Sequence, residues 1–327
     1  MKRGPTAGTC MNTGWGLKTL TPDALDKIHA ATLDVLLSTG VRVDSPEALG
    51  ILDRGGCWVN RKTGVVRFPE HIVKQTLALC PSQILLAGRD PEKDFMMGGR
   101  EVGFTTFGTG VQVEDLETGE IRDSTKQDVA RIARITDALE HMDVLSSPVE
   151  ARDKPASSHD LHMFEAVLMN CTKHYACEAQ DGPRMTTMIE MAKVVAGGRD
   201  ALKRRPIFSM SACPTSPLQL IEEAADVIVV SAKNWIPINV LSMVMAGATS
   251  PISVSGALVT HNAEVLAGII LAQLTNPGAP VIYGSSSTTF DMRYGTAVVG
   301  VPEMAMISAA AADLANYYGL PSYVAGG

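Results

Sequence analysis

PINVLSMVMAG (237–247) and PVIYGSSSTTF (280–290) decide how this chain folds. Each starts at a proline, continues as a short apolar run and gives way to small residues. A short apolar run bounded by turn signals reads as a buried strand. PIFSMSACP (206–214) and PSYVAGG (321–327) repeat the pattern, and DVLSSPV (143–149) and HYACEAQ (174–180) read as strands without the leading proline. The six starts lie 31, 32, 31, 43 and 41 residues apart, matching the ~30-plus residues of a strand–helix–strand unit. Helix-like stretches fill the intervals at 158–171, 184–197, 217–234, 260–275 and 301–318. Such alternation predicts an α/β fold with parallel strands. An open doubly wound sheet and an eight-fold (β/α) barrel both fit it. No G-x-G-x-x-G follows the first strand, and the late strands end in small polar residues, which favours a TIM-type barrel with its chemistry at the C-terminal strand ends. About six βα units are present where a closed barrel has eight, so residues 125–327 are expected to form a partial barrel lacking its last two strands.

Residues 1–124 read differently, as an N-terminal α+β region. In LTPDALDKIHAATLDVLLSTG, Thr21 is placed as N-cap, Pro22 at the first helical position and Gly40 as the stop. VNRKTGVVRFP reads as a hairpin around Lys62-Thr63-Gly64, and PEHIVKQTLALCP as a short helix between prolines. EVGFTTFGTGVQVEDLETGEIRDST reads as a Gly- and Thr-rich strand followed by a hairpin turning at Thr118-Gly119. Thr125 and Asp128 have capping-box spacing and open a helix running to about Leu139.

Composition narrows the function classes. Apolar residues make up 46 % of 327, ample for a large core, and the formal net charge is −7. The most basic stretch is LKRRP at 202–206, which reads as a solvated helix end, so nucleic acid is not an expected partner. No apolar stretch approaches the ~20 residues of a membrane helix, and MKRGPTAGTCMNTGWGLKTL has no continuous apolar core, so neither a membrane span nor a secretory signal is expected. Six scattered cysteines (10, 57, 80, 171, 177 and 213) suggest reduced thiols in a cytoplasm rather than a disulfide framework.

Small polar residues gather where chemistry is expected. VIYGSSSTTFD ends the fifth strand and places Tyr283, Ser285, Ser286, Thr288 and Phe290 together; it reads as a pocket lining or as a Ser/Thr-rich loop. SMSACPTSP, with Cys213, ends the third strand in the same style. FGTGV, with Phe107, Gly108 and Thr109, offers a lid or wall. In LVTHNAEVLAGIILAQL, Thr260 as N-cap would put His261 and Glu264 in the first helical turn, at the barrel mouth. Glu264 there is either the partner of Thr260 in a capping box or, with His261, a proton-transfer group. HDLH (159–162) and Cys171, Cys177 and Cys213 supply metal-ligand types without metal-ligand spacing, so no metal is expected. DLHMFE (160–165) approaches the D-x-H-x-x-G motif that supplies the lower ligand of cobalamin, but Glu165 stands where glycine is required, so this chain is not expected to carry a corrinoid itself.

KPASSHDLHMFEAVLMNCTKH, RRPIFSMSACPTSPLQL, the long run from IPINVLSMVMAGATSP to SSSTTFDMRYGTA, and YYGLPSYVAGG closely resemble the trimethylamine:corrinoid methyltransferase family. The likeness extends through nearly the whole chain, including SPEALGILDRGGCWVN and FGTGV. It implies a TIM barrel whose mouth moves a methyl group from a methylated amine to cobalt(I) of a separate corrinoid protein, in methylamine-dependent methanogenesis or anaerobic, acetogenic methylamine metabolism. The corrinoid would be carried by that cognate partner, and self-association is expected. In the trimethylamine members GLPSYVAG and a small residue precede pyrrolysine, encoded by UAG, so pyrrolysine is expected immediately after Gly327 with further residues beyond. There the amine would add to, or be oriented by, an imine, with Glu264 or His261 as proton donor. Phe107, Tyr283 and Phe290 would contact N-methyl groups by cation–π attraction of roughly 0.5–2 kcal/mol, although core packing accounts for each as well. Family members without pyrrolysine demethylate quaternary amines such as glycine betaine, which is the alternative substrate class. From a different class, a chain ending at 327 would be an inactive fragment with exposed strand edges.

Overall fold

The computed structural model describes residues 18–99 and 101–326; most of the N-terminal stretch read for a signal, with Cys10, and Gly327 lie outside them. Six parallel strands carry the architecture: β1 (Val144–Ser146), β2 (His174–Glu178), β3 (Phe208–Ala212), β4 (Ile238–Ser242), β5 (Val281–Ser285) and β6 (Ser322–Val324). All six fall inside the stretches expected from sequence. The helices used below are α1 (Pro22–Asp34), α2 (Glu70–Leu79), α3 (Lys126–Ala138), α4 (His159–Asn170), α5 (Gly182–Ala196), α6 (Glu222–Asn234), α7 (Val254–Thr275) and α8 (Pro302–Tyr317). Strand–helix alternation from residue 125 onward is therefore present as read, and the fold class is α/β.

Contacts divide the chain into two compact units, one comprising residues 85–211 and the other residues 18–84 with 212–326. In the first, β1, β2 and β3 pair in parallel, with Leu145 opposite Tyr175 and Tyr175 opposite Phe208. Its core is aromatic: the Phe164 ring of α4 lies 5.8 Å from Tyr175 and 5.1 Å, edge-on, from Phe208. Helix α3 opens with the expected capping box of Thr125 and Asp128, whose carboxylate also takes a bidentate pair from Arg122. The hairpin of Gln112–Glu114 with Ile121–Asp123 forms as expected. The Gly/Thr-rich stretch before it does not form the expected strand. It touches β1 and the residues after it through two isolated parallel bridges, Thr105 to Val144 and Gly110 to Val149.

In the second unit β4, β5 and β6 pair in parallel, with Val240 opposite Tyr283 and Tyr283 opposite Ser322. Gly284 is required in β5: a Cβ there would stand 2.1 Å from the Asn239 side-chain oxygen and 2.8 Å from the Val240 carbonyl. Residues 18–84 supply α1, capped by Thr21 with Pro22 at its first position, and a small sheet in which Trp58–Asn60 and Val65–Arg67 form the expected hairpin. Sequence reading did not find the parallel pairing of Val41–Val43 with Gln219–Leu220. Two-residue strands carry no periodicity to read.

Helix α7 corrects two expectations. It begins at Val254 with Ser253 as N-cap, six residues before the start expected at Thr260. The longer helix has the length and composition of a membrane span, so the expectation that no stretch approaches that length fails. Yet most of it is buried inside the protein. A helix apolar on every side is a core helix when its neighbours enclose it.

Candidate active site

The start of α7 fixes the chemistry of His261 and Glu264. Because the helix begins at Val254, both residues stand in its second and third turns and not its first, and the capping-box alternative for Glu264 fails with the same observation. Ser253 makes the cap, accepting from the Gly256 amide, while the Thr260 hydroxyl donates to the Gly256 carbonyl. His261 and Glu264 are both fully enclosed.

Glu264 is bound from three directions. The Ser242 hydroxyl, at the C-terminal tip of β4, donates to its Oε2 at 2.7 Å, the Ser216 hydroxyl to the same oxygen at 2.8 Å, and the Leu218 amide to Oε1 at 2.9 Å. Leu218 has φ +57°, uncommon for a bulky residue, and its amide belongs to a tight turn closed by paired hydrogen bonds between Thr215 and Gln219. Burial pushes the Glu264 carboxyl above the usual range, and the Leu218, Ser242 and Ser216 donors oppose that shift. The group thus joins two segments, the turn after β3 and the tip of β4.

His261 lies one helical turn earlier. Its Nδ1 is 3.2 Å from the Ser287 hydroxyl, its ring meets Tyr283 edge-on at 5.4 Å, and its Nε2 has no hydrogen-bond partner among the described residues. Burial pushes its pKa down to about 3, so the ring is neutral at ordinary pH. The Ser287 hydroxyl also lies 3.2 Å from the Ser242 carbonyl. If its proton goes to that carbonyl, Nδ1–H donates to Ser287 and leaves Nε2 as a bare lone pair.

Most of the Ser/Thr run after β5 is enclosed. Ser285, Ser287 and Thr288 are buried, whereas Ser286 and Phe290 are half-buried. The Ser286 amide donates to the Ser242 carbonyl and the Thr288 amide to the Val244 carbonyl, so the chain stays bonded to the extension of β4. The Ser285 carbonyl accepts from the Ala325 amide beyond β6 at 2.9 Å. Tyr283 points beneath, fully buried, with its hydroxyl donating to Asn262 Oδ1 at 2.8 Å. Cys213 is half-buried just past β3.

The structure therefore gathers His261, Glu264, Tyr283, Ser285, Ser286 and Thr288 in one unit. Phe107, Gly108 and Thr109 belong to the other. There Phe107 is 74 % exposed, the Thr109 hydroxyl donates to the Ser147 carbonyl at 3.3 Å, and a Cβ on Gly108 would stand 2.4 Å from that same carbonyl. Sequence reading missed Ser216, Leu218, Ser242 and Ser287 as partners. Each lies in or beside a quoted strand-end stretch, but its pairing with α7 spans 22 to 48 residues. Among the described residues no three His, Cys, Asp or Glu side chains are grouped to hold a metal ion. His159 and His162 stand in the first turn of α4, against the Ala156 carbonyl and Lys126.

Residues 5–327 match the family model described as trimethylamine methyltransferase (MTTB). The trimethylamine methyltransferase MttB of Desulfitobacterium hafniense is 47 % identical over 321 residues, covering 98 % of this chain and 65 % of that protein. A glycine betaine methyltransferase of Desulfitobacterium hafniense is 34 % identical over 309 residues, covering 94 % and 64 %. The chain spans about two thirds of the length of these relatives. Two crystal structures of MtmB share its fold. The hydroxylamine complex has a TM-score of 0.58 at 14 % identity, covering 95 % of this chain and 64 % of that one. The monomethylamine methyltransferase of Methanosarcina barkeri has 0.52 at 13 %, covering 97 % and 68 %. At such low identity the likeness speaks to fold alone, which is α/β of the TIM-barrel type. By a match that runs from residue 5 to residue 327, the chain belongs to the trimethylamine methyltransferase (MTTB) family.

Proposed function

We propose that the protein transfers a methyl group from trimethylamine to cobalt(I) of a separate corrinoid protein. The observation supporting this substrate is the difference in identity, 47 % to a trimethylamine methyltransferase against 34 % to a glycine betaine methyltransferase. Cobalt(I) on the partner supplies a strong nucleophile, and the amine must gain positive charge to become a good leaving group. In this reading Ser285, Ser286 and Thr288 at the end of β5, with Tyr283 beneath, Phe290 beyond and Cys213 past β3, contact the amine. Phe107, Gly108 and Thr109 are supported as further amine contacts by the family resemblance alone.

Glu264 is proposed to hold the proton. Its raised pKa favours the protonated form relative to an ordinary carboxyl. It communicates with the strand tips through the Ser242 and Ser216 hydroxyls that touch it. His261, neutral and bonded to Ser287, is proposed to fix the turn after β5. Self-association and a cytoplasmic location complete the proposal. The functional test is methylation of a cob(I)alamin carrier protein by the full-length protein with trimethylamine. Demethylation of glycine betaine is the second reading, supported by the 34 % identical relative.

A further inference from the structure

The polar groups beneath β5 continue away from the strand tips. Asn262 Oδ1 accepts from the Tyr283 hydroxyl at 2.8 Å, and Asn262 Nδ2 donates to Thr32 Oγ1 at 2.9 Å and to the Tyr318 hydroxyl oxygen at 2.8 Å. The Thr32 proton is already committed to the Ile28 carbonyl at 2.8 Å. The Tyr318 hydroxyl lies 3.0 Å from His29 Nδ1, and both tyrosine rings at the end of α8, Tyr317 and Tyr318, pack against the imidazole at 5.7 and 5.5 Å. Asn262 and Tyr283 are buried, whereas His29 and Tyr318 are half-buried.

Counting protons gives the network one direction. Tyr318 accepts from Asn262, and the acceptor within reach of its own proton is His29 Nδ1, which takes that proton when bare. Turning the Asn262 amide over would leave the Tyr283 proton with no acceptor and would compete with Ile28 for the Thr32 proton. A second proton on His29 therefore removes the acceptor on which the Tyr318 proton depends.

We infer that His29, Tyr318, Asn262 and Tyr283 form a pH-sensitive clasp that holds the end of α8 and the start of β6 against α1 and α7. The device does not depend on the proposed methyl transfer. The ionisable groups facing His29 are Asp26 on α1, Glu70 and Lys74 on α2, and the phenols of Tyr317 and Tyr318. Tyr317 donates to Asp26 at 3.0 Å, and Glu70 is paired with Lys74 at 2.6 Å. Burial lowers the His29 pKa, Glu70 and Asp26 raise it, and Lys74 lowers it. With a folded pKa below the unfolded value, the clasp is complete at neutral pH and opens as pH falls through the folded value.

The backbone beyond Tyr318 relies on this anchor. The Leu320 amide donates to the Ala315 carbonyl, and the Tyr283 amide donates to the Pro321 carbonyl, so release of Tyr318 loosens the turn that feeds β6. Amide hydrogen exchange of peptides covering residues 314–324, corrected for intrinsic rates, tests this in the full-length protein. Lowering the pH from about 7.5 to about 5 should speed exchange about ten-fold, the scale of one lost buried hydrogen bond. His29→Gln keeps an acceptor that does not titrate and should abolish the pH dependence. Tyr318→Phe should exchange fast at both pH values. A His29→Gln protein that still accelerates on acidification, or an unmodified protein that does not, overturns the clasp.

Discussion

Beside each set of three parallel strands, one pair of buried ionisable groups serves an opposite strand end. Beside β1–β3 that pair, Lys173 and His174, stands at a strand start and serves backbone. Lys173, just before β2, donates to the carbonyls of Thr136 and Leu139 at the end of α3. His174, the first residue of β2, bonds through Nδ1 to the Ala87 carbonyl at 3.1 Å. In the set β4–β6 the ionisable groups come from helix α7 and serve side chains at the strand tips: Glu264 takes the Ser242 and Ser216 hydroxyls, and His261 meets Ser287. A backbone cap at a strand start is a folding device. A buried carboxyl bonded to hydroxyls at the C-terminal ends is where barrel enzymes keep their chemistry.

Acid should break both ends at once. Burial lowers the His174 pKa to about 4 and that of His261 to about 3, against an ordinary 6.5. The unfolded chain therefore binds protons first, so stability is greatest above pH 6.5, falls as pH drops from there and levels off below the folded values. By pH 4 each histidine should account for about 3 kcal/mol of lost stability. Denaturant midpoints between pH 7 and 4 measure the total, and His261→Asn should remove close to half of the histidine-linked slope. An unchanged slope would mean that His261 is solvated in solution.

Next in size is Glu264→Ala, which takes the shared acceptor from the Leu218 amide and the Ser216 and Ser242 hydroxyls. The expected loss is about 4 kcal/mol, one to two per orphaned donor. Glu264→Gln keeps an acceptor for the Leu218 amide and lets the hydroxyls rotate, so its stability should stay within about 1 kcal/mol of the parent. If Glu264 moves a proton, the Gln protein folds normally and loses methyl transfer; if it only braces the two segments, activity survives.

The smallest expected effect is Ser287→Ala, about 1 kcal/mol, because it removes one hydroxyl between His261 and the Ser242 carbonyl. Thermal unfolding would detect it. A neutral result would place the His261 Nδ1 proton on another acceptor.

Legibility of these features in the sequence depends on range. Prolines before the strands, the Thr21 and Thr125 caps and the Gly64 hairpin act within a few residues, and each stands where the sequence puts it. The start of α7 is misplaced by a local reading because Thr260 and Ser253 are both capping residue types, and only packing decides that VSGALV belongs to the helix. Residue type is enough to select His261 and Glu264. Their enclosure, and the donors Ser216, Leu218 and Ser242, arise from pairings tens of residues apart that no local pattern encodes. The Gly/Thr-rich stretch at 103–110 misleads for a related reason: its alternation suits a strand, but close approach of Gly108 to Ser147 replaces a ladder.

Methyl transfer from trimethylamine is tested by mixing the full-length protein with a cob(I)alamin carrier protein and each amine in turn. Rapid formation of methylated carrier from trimethylamine, with far slower formation from glycine betaine, is the predicted result. Methylation from glycine betaine with none from trimethylamine would contradict it.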